Sequence, residues 1–291
     1  MDQHGLRRDK AVLNVRSITD LNRAIVNNLH RLDRSAFDAV VGIPRSGMLP
    51  ATLIATHLQK PLGDVDGFCR GWVFKRHDQK IAAARILLVD DSVNKGRAMM
   101  SAVQKIKQAV PTAQLTRFAV YGPYQLSDPK LVCDLFCEEC HGPRVFQWNM
   151  WKHIRLPRWT FDLDGVLCRD PTNEENDDGP KYLKFIRDVE PLFLPTRPIG
   201  HIITGRLERY RVETEKWLRR YNVQYLSLHM MPFATKAERM AHGGRGQWKA
   251  EVFKTLDSEF FIESNPKQAS IIAKAGIQVW CTSTQETIAP S

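Results

Sequence analysis

Four apolar, mostly branched residues followed at once by two carboxylates, Ile86-Leu87-Leu88-Val89-Asp90-Asp91, constrain this chain more than any other stretch. Such a run reads as a strand buried on both faces, the situation of a parallel sheet between layers of helices. Ser92-Val93-Asn94-Lys95-Gly96-Arg97-Ala98 follows, and Gly96 permits a tight turn into the helix beyond. Open parallel sheets bind ligands outside the carboxyl ends of their strands, which is where this turn falls. Backbone N–H groups of the loop and the first helical turn suit a phosphate, and Asp90 and Asp91 suit two neighbouring hydroxyls, as on a ribose. Alone, Asp-Asp-x-x-x-x-Gly is equally an ordinary polar turn, so its neighbours decide.

One strand–helix unit upstream the pattern occurs in a second form. Residues 37–43 read as a buried strand, Pro44-Arg45-Ser46-Gly47 as a short loop, and 48–58 as a helix. Gly47 lets backbone N–H groups approach an anion closely, and Arg45 adds charge. The two loops in this order resemble the pyrophosphate loop and the phosphoribosyl-pyrophosphate (PRPP) loop of type I phosphoribosyltransferases. The Asp-Asp-Ser-Val opening is especially similar to the amidophosphoribosyltransferase version, with Asn94 and Arg97 where many members carry Thr. The resemblance implies that Asp90 and Asp91 hold the ribose hydroxyls. It places Ser92, Asn94, Lys95, Gly96 and Arg97 around the 5-phosphate and Arg45, Ser46 and Gly47 around pyrophosphate. Residues 61–68 read as the next strand, and Arg70, Lys75, Arg76 and Lys80 match the place of the family's mobile basic loop. A helix to about Val110, a strand over 114–121 and a last strand over 144–149 complete this part. At its start Ser17 and Asp20 resemble an N-cap pair before the helical stripe Leu21, Ile25, Leu29, Leu32.

Near 151–158 the pattern restarts. Trp159-Thr160-Phe161-Asp162-Leu163-Asp164-Gly165 is another strand ending in carboxylates, now two residues apart and so on one side of an extended backbone. That geometry suits a nucleophile with an acid–base partner. Ile202-Ile203-Thr204-Gly205-Arg206, Trp248-Lys249-Ala250-Glu251 and Phe260-Phe261-Ile262-Glu263-Ser264-Asn265 follow. Together the four segments resemble motifs I to IV of haloacid-dehalogenase-like (HAD) phosphatases. The resemblance implies Asp162 as nucleophile, Asp164 as acid–base, and Thr204 and Lys249 as electrostatic stabilisers. It also implies a magnesium ion on Asp162, Asp164 and Glu263, with Lys249 opening a helix. Motif IV departs from the family, having Glu263-Ser264-Asn265 where many relatives have two Asp. The insertions are short: one polar near 172–178, and one with a helix bearing Leu207, Trp217 and Leu218, a strand near Tyr225 and a turn over 243–246. Only a minimal cap is expected.

The fold expected is α/β in two domains, a type I phosphoribosyltransferase fold over 1–152 and a HAD-like doubly wound parallel sheet over 157–291. A chain of 291 residues can bury two cores, and its 43% apolar and 25% charged residues are those of a globular protein. No apolar run reaches the roughly 18 residues of a membrane span. The first ten residues carry no apolar signal core, so a cytoplasmic location is expected. The net charge of +10 calls for an anionic partner. Its Lys and Arg are scattered without a nucleic-acid-reading motif, leaving phosphorylated small molecules or an anionic membrane surface. Cys133, Cys137, Cys140 and His141 loosely resemble a zinc site but lack a second Cys-x-x-Cys pair, so packing thiols are expected.

Joined in one chain, the two resemblances imply transfer of 5-phosphoribosyl from PRPP to an acceptor, then removal of the 5-phosphate to leave ribofuranose. A saccharide or lipid-linked glycan is the acceptor expected, as in similar fused proteins of polysaccharide biosynthesis. Nucleobase transfer coupled to a nucleotide phosphatase, and a PRPP-sensing regulator, are the alternatives.

Overall fold

The computed structural model describes residues 12–74, 85–123, 131–233, 238 and 244–291. The chain is mixed α/β with parallel sheets. It divides into two compact units, Arg16–Trp148 and Asn149–Ser291, the latter joined by the segment ending at Val15. Lys75, Arg76 and Lys80 of the expected basic loop lie outside the described residues.

Strand β1 (Asn14–Arg16) leads into α1 (Ile18–Asn28), the first helix of the Arg16–Trp148 unit. Ser17 Oγ accepts from the Asp20 amide at 3.0 Å while Asp20 Oδ2 accepts from the Ser17 amide at 2.9 Å. Two otherwise orphaned donors are thereby satisfied, with Asp in the role usual for Glu. The sheet contains β2 (Ala39–Gly42), β3 (Leu62–Asp64), β4 (Arg85–Ser92), β5 (Gln114–Gly122) and β6 (Leu135–Glu139). Its order is β3-β2-β4-β5-β6, every pair parallel. Leu87 and Val89 join one apolar cluster, with Leu21, Ile25 and Ile54, and Ile86 and Leu88 join another, with Met99 and Ile106. Alternate residues of β4 thus face opposite helical layers, as a doubly covered strand requires. Helices α2 (Met48–Leu58) and α4 (Arg97–Ala109) follow β2 and β4. The chain runs outward from β2 to β3 and, in the other direction, from β4 to β6. The β2/β4 pair is therefore the topological switch point, where the crevice of such a sheet opens.

Two strand expectations in this unit are corrected. Residues 61–68 split into β3 and α3 (Val65–Cys69), because the Asp64 carboxylate accepts from the amides of Asp66 and Gly67 and starts a helical turn. Only β7 (Arg144–Phe146) of 144–149 is extended, giving way to a 3₁₀ turn over Gln147–Lys152, and β6 is the outer strand of the parallel sheet.

The second unit contains β8 (Trp159–Phe161), β9 (Ile199–Leu207), β10 (Tyr225–Met231), β11 (Phe260–Glu263), β12 (Val279–Cys281) and β13 (Glu286–Ile288). Its order is β10-β9-β8-β11-β12-β13, parallel except for the antiparallel last pair. Helices α5 (Pro180–Asp188), α6 (Arg211–Arg220), α7 (Gly244–Lys254) and α8 (Pro266–Lys274) complete it. Strand β8 lies between β9 and β11, so its end meets residues delivered from both sides. Leu207 ends β9 rather than joining a helix, and α6 carries Trp217 and Leu218. Gly244 to Gly246 are helical, so the expected turn over 243–246 is not formed in its described part, and Lys249 lies mid-helix rather than at a start. Among the described residues no helix is long and apolar enough to cross a membrane.

Candidate functional site

Each unit places a pair of carboxylates at a strand end. In the first, Gly42 of β2 registers with Val89 of β4, and the Ile43 amide donates to the Val89 carbonyl at 2.9 Å. The loop after β2 therefore emerges beside Asp90. A Cβ on Gly47 would lie 2.8 Å from the Val89 carbonyl oxygen and 3.0 Å from Asp90 Cα, so only glycine lets the two loops close on each other. The peptide between Pro44 and Arg45 is cis. Arg45 is exposed and Ser46 half-buried.

Asp90 and Asp91 are buried. Asp90 Oδ1 accepts from the Asp91 amide and Asp91 Oδ1 from the Ser92 amide, each at 2.9 Å. Burial, with the Asp91 charge next to it, pushes the Asp90 carboxyl up to about 8. Asp91 has a further partner that the sequence reading missed: Trp148 Nε1 donates to its Oδ2 at 2.6 Å. That indole stacks on Phe146 with centroids 5.0 Å apart, and Phe146 stacks on Tyr121 at 5.2 Å. The aromatic column fixes the indole, and the indole fixes the carboxylate. Gly96 caps α4 at φ 72°, and a Cβ there would lie 2.3 Å from the Val132 side chain, so both turn and packing require glycine. Asp90 and residues 92–99 line a cavity of about 340 Å³ at the start of α4, with Asn94, Lys95 and Arg97 exposed. Arg45, Ser46 and Gly47 do not line that cavity. The expected basic-loop residue Arg70 caps α3, its guanidinium over the Trp72 ring at 5.9 Å.

In the second unit the Asp162 amide donates to the Ile262 carbonyl at 2.9 Å, aligning the ends of β8 and β11. Lys249, fully buried on α7, donates to Asp162 Oδ2 and to Glu263 Oε2, each at 2.6 Å. Burial opposes the ammonium charge, but the two carboxylates win and raise the Lys249 pKa. Burial drives the Asp162 carboxyl upward, Glu263 adds to it, and Lys249 only partly compensates. Glu263 Oε1 accepts from the amides of Ser264 at 2.9 Å and Asn265 at 3.0 Å.

Asp164 is held differently. Arg206, without exposed surface, donates from Nη2 to Asp164 Oδ1 at 2.6 Å and from Nε at 3.1 Å, and Tyr182 Oη donates to Oδ2 at 3.2 Å. Burial alone would raise this carboxyl, yet the guanidinium outweighs it and holds Asp164 below its ordinary value. Arg206 lies where β9 shifts register against β10, between Thr204 and Leu207, and is fully buried. Thr204 is buried, its hydroxyl accepting from the Arg206 amide at 3.3 Å. Asp162, Asp164, Lys249, Asp170, Arg245 and Ser264 are among the residues lining a cavity of about 160 Å³. Asp170, Arg206 and Arg245 were given no role by sequence reasoning. The Arg245 signal was its position four residues before Lys249, on the same helical face.

The implied magnesium ligands were tested against this arrangement. Asp162 and Glu263 share the Lys249 ammonium and Asp164 is bound to Arg206, so each is already paired with a cation of the protein. Among the described residues no three His, Cys, Asp or Glu side chains form a group able to hold a metal ion. As arranged, the set does not fit a chelate. Cys133 and Cys140 are buried, with Cys133 Sγ donating to the Leu135 carbonyl at 2.8 Å.

No protein-family model matches the chain, and no curated protein matches it. Solved structures resemble part of it. A xanthine-guanine-hypoxanthine phosphoribosyltransferase of Helicobacter pylori aligns with 47% of this chain and 94% of its own at 14% identity, with a TM-score of 0.38. A purine phosphoribosyltransferase of Pyrococcus horikoshii aligns with 46% and 92% at 18% identity and a TM-score of 0.36. For the orotate phosphoribosyltransferase of Aeropyrum pernix the figures are 42% and 69%, 18% and 0.31.

Proposed function

We propose that the first unit transfers a 5-phosphoribosyl group from PRPP to an acceptor and that the second then hydrolyses the 5-phosphate, leaving ribofuranose. The reading is carried by the meeting of the 43–47 and 92–96 loops at the buried Asp90–Asp91 pair, at the switch point of a parallel sheet. In this reading the two carboxylates accept hydrogen bonds from the ribose hydroxyls. Amides of the 92–96 loop, with Lys95 and Arg97, take the 5-phosphate. Arg45 and the amides of Ser46 and Gly47 take pyrophosphate, which leaves as its bond to the anomeric carbon breaks and the acceptor bonds there.

In the second unit Asp162 Oδ attacks phosphorus and forms an aspartyl-phosphate, which water hydrolyses. Lys249 stabilises the transferring group with the N–H not spent on Asp162 and Glu263. Every product of the first reaction carries a phosphomonoester, and an enzyme for such esters on the same chain gives the pairing its sense. A saccharide is the acceptor proposed, with a nucleobase as the alternative.

Mass spectrometry tests the order of reactions. The Asp162→Asn protein, incubated with PRPP and a panel of saccharides and nucleobases, is expected to accumulate a phosphoribosylated saccharide while pyrophosphate is released. Accumulation of bare ribosylated product would refute the sequence of steps, and transfer to nucleobases alone would replace the saccharide.

A further inference from the structure

A phosphomonoester brings negative charge to a carboxylate nucleophile, so the second unit needs positive charge that its own acidic groups have not already taken up. Two of its cations are committed. Lys249 donates to Asp162 and to Glu263, each at 2.6 Å, which leaves one N–H for a ligand. Arg206 has no exposed surface and turns Nε and Nη2 to Asp164.

Arg245 is placed differently. It lies in the first turn of α7, four residues before Lys249 and so on the same side of the helix, and it lines the cavity with Asp162, Gly205 and Lys249. Its side chain is half-buried, and among the described residues its guanidinium makes no hydrogen bond and no ion pair, although Asp170 lines the same cavity. Two glycines set its position. A Cβ on Gly246 would lie 3.1 Å from Ile271 Cβ, so α7 sits close upon α8 beside Arg245. A Cβ on Gly205 would lie 2.8 Å from Arg245 Cδ and 2.9 Å from its Nε. The bare glycine thus lets the arginine stem lie across the backbone that follows Thr204.

We propose that Arg245 is a further catalytic residue of the second unit, its guanidinium forking onto two oxygens of the phosphoryl group. The proposal rests on the phosphatase reading above. A planar guanidinium offers a phosphoryl group two parallel N–H donors, which an ammonium cannot do. Lys249 and Arg245, one turn apart on α7, then bracket the group, the first beside Asp162 and the second beside Gly205. The guanidinium neither gives nor takes a proton. It meets charge on oxygens that stay on phosphorus, in the ester and again in the aspartyl-phosphate, so its contribution does not depend on the leaving group.

Kinetics of the full chain on two esters test the assignment. Arg245→Gln is expected to lower kcat/KM about 100-fold on p-nitrophenyl phosphate and on ribose 5-phosphate alike, and to weaken inhibition by orthovanadate by a similar factor. Arg245→Lys, which keeps the charge without the fork, should recover only part of the rate. Millimolar guanidinium should restore part of the rate to Arg245→Ala, a rescue that a merely structural role would not give. Gly205→Ala should slow the wild type several-fold but leave Arg245→Gln unchanged, since the added methyl acts by displacing the guanidinium. Rates for Arg245→Gln within about 3-fold of wild type on both esters, with unchanged orthovanadate inhibition, would overturn the assignment. So would a loss confined to ribose 5-phosphate, which would put the guanidinium on the alcohol portion, or equal slowing of both proteins by Gly205→Ala. Wild-type protein inactive on both esters would overturn the phosphatase reading itself, and this assignment with it.

Discussion

The two carboxylate pairs occupy equivalent places, each at the end of an interior strand of a parallel sheet, yet they are partnered differently. Asp90 and Asp91 are adjacent, and among the described residues the one side-chain donor on them is the neutral Trp148 indole. Asp162 and Asp164 are two apart, and each is in contact with a buried cation, Lys249 or Arg206. A pair without a counter-charge is poised to take hydrogen bonds or positive charge from a ligand. In the other pair the guanidinium holds Asp164 below its ordinary value, while burial and Glu263 still push Asp162 up against Lys249. The strand-end carboxylate is thus one sequence signal with two physical outcomes, decided by what the neighbouring strands bring.

The largest expected effect falls on the uncompensated pair. Asp90→Asn with Asp91→Asn removes both carboxyl groups proposed to hold the ribose hydroxyls, each bond worth on the order of 1.5–3 kcal/mol. Pyrophosphate release should fall by roughly two to four powers of ten, while hydrolysis of p-nitrophenyl phosphate by the second unit persists. Loss of both activities together would erase the contrast.

Next is Arg206→Ala, which leaves the half-buried Asp164 charge without its guanidinium and should cost about 3–5 kcal/mol in denaturant unfolding at neutral pH. The Arg206-held carboxyl has a lowered pKa, so its stabilisation is present above the ordinary value of 3.8 and fades as pH falls through the folded one. The penalty should therefore shrink in acid, and Asp164→Asn added to Arg206→Ala should recover part of it. A pH-independent penalty would mean that packing, not charge, is what Arg206 supplies.

Asp90 gives the opposite slope. Its folded pKa of about 8 lies above the ordinary 3.8, so the folded state holds the extra proton between them, and stability falls as pH rises through that window. Asp90→Asn should remove the fall, giving a variant that gains on wild type from pH 4 to 8 in thermal melts. A parallel pair of profiles would show that Asp90 is ionised throughout.

Smaller effects sharpen the first site. Trp148→Phe keeps the stack and deletes the N–H to Asp91, which should cost about 1–3 kcal/mol and shift PRPP binding several-fold. Arg97→Ala, at an exposed position, should weaken PRPP binding by roughly 3–10-fold at low salt and less at high salt. An effect independent of ionic strength would place Arg97 away from the phosphate.

What the sequence made legible was what is local. The apolar run of β4 and its carboxylates, the bounds of α2, the Ser17–Asp20 cap and the turn at Gly96 each announce themselves within a few residues. Strand β6 did not, since Leu135–Glu139 is half-exposed and ends in two glutamates, without the apolar run of a central strand. Residues 65–69 misled because an apolar-looking stretch outweighed the cap that Asp64 offers. The Asp162–Lys249–Glu263 contact followed the order of the motifs, but the partners of Asp91 and Asp164 did not. Trp148 is 57 residues from Asp91 and Arg206 is 42 from Asp164, and only sheet topology brings them in. A Thr-Gly-Arg string carries no sign of which carboxylate its guanidinium will neutralise.

Isothermal titration of PRPP into the full chain tests the division of labour most directly. Wild-type and Asp162→Asn proteins should each bind one PRPP with similar affinity, and Asp90→Asn with Asp91→Asn should abolish the heat of binding. Undiminished binding by the Asp90/Asp91 variant, or its loss in Asp162→Asn, would contradict the account.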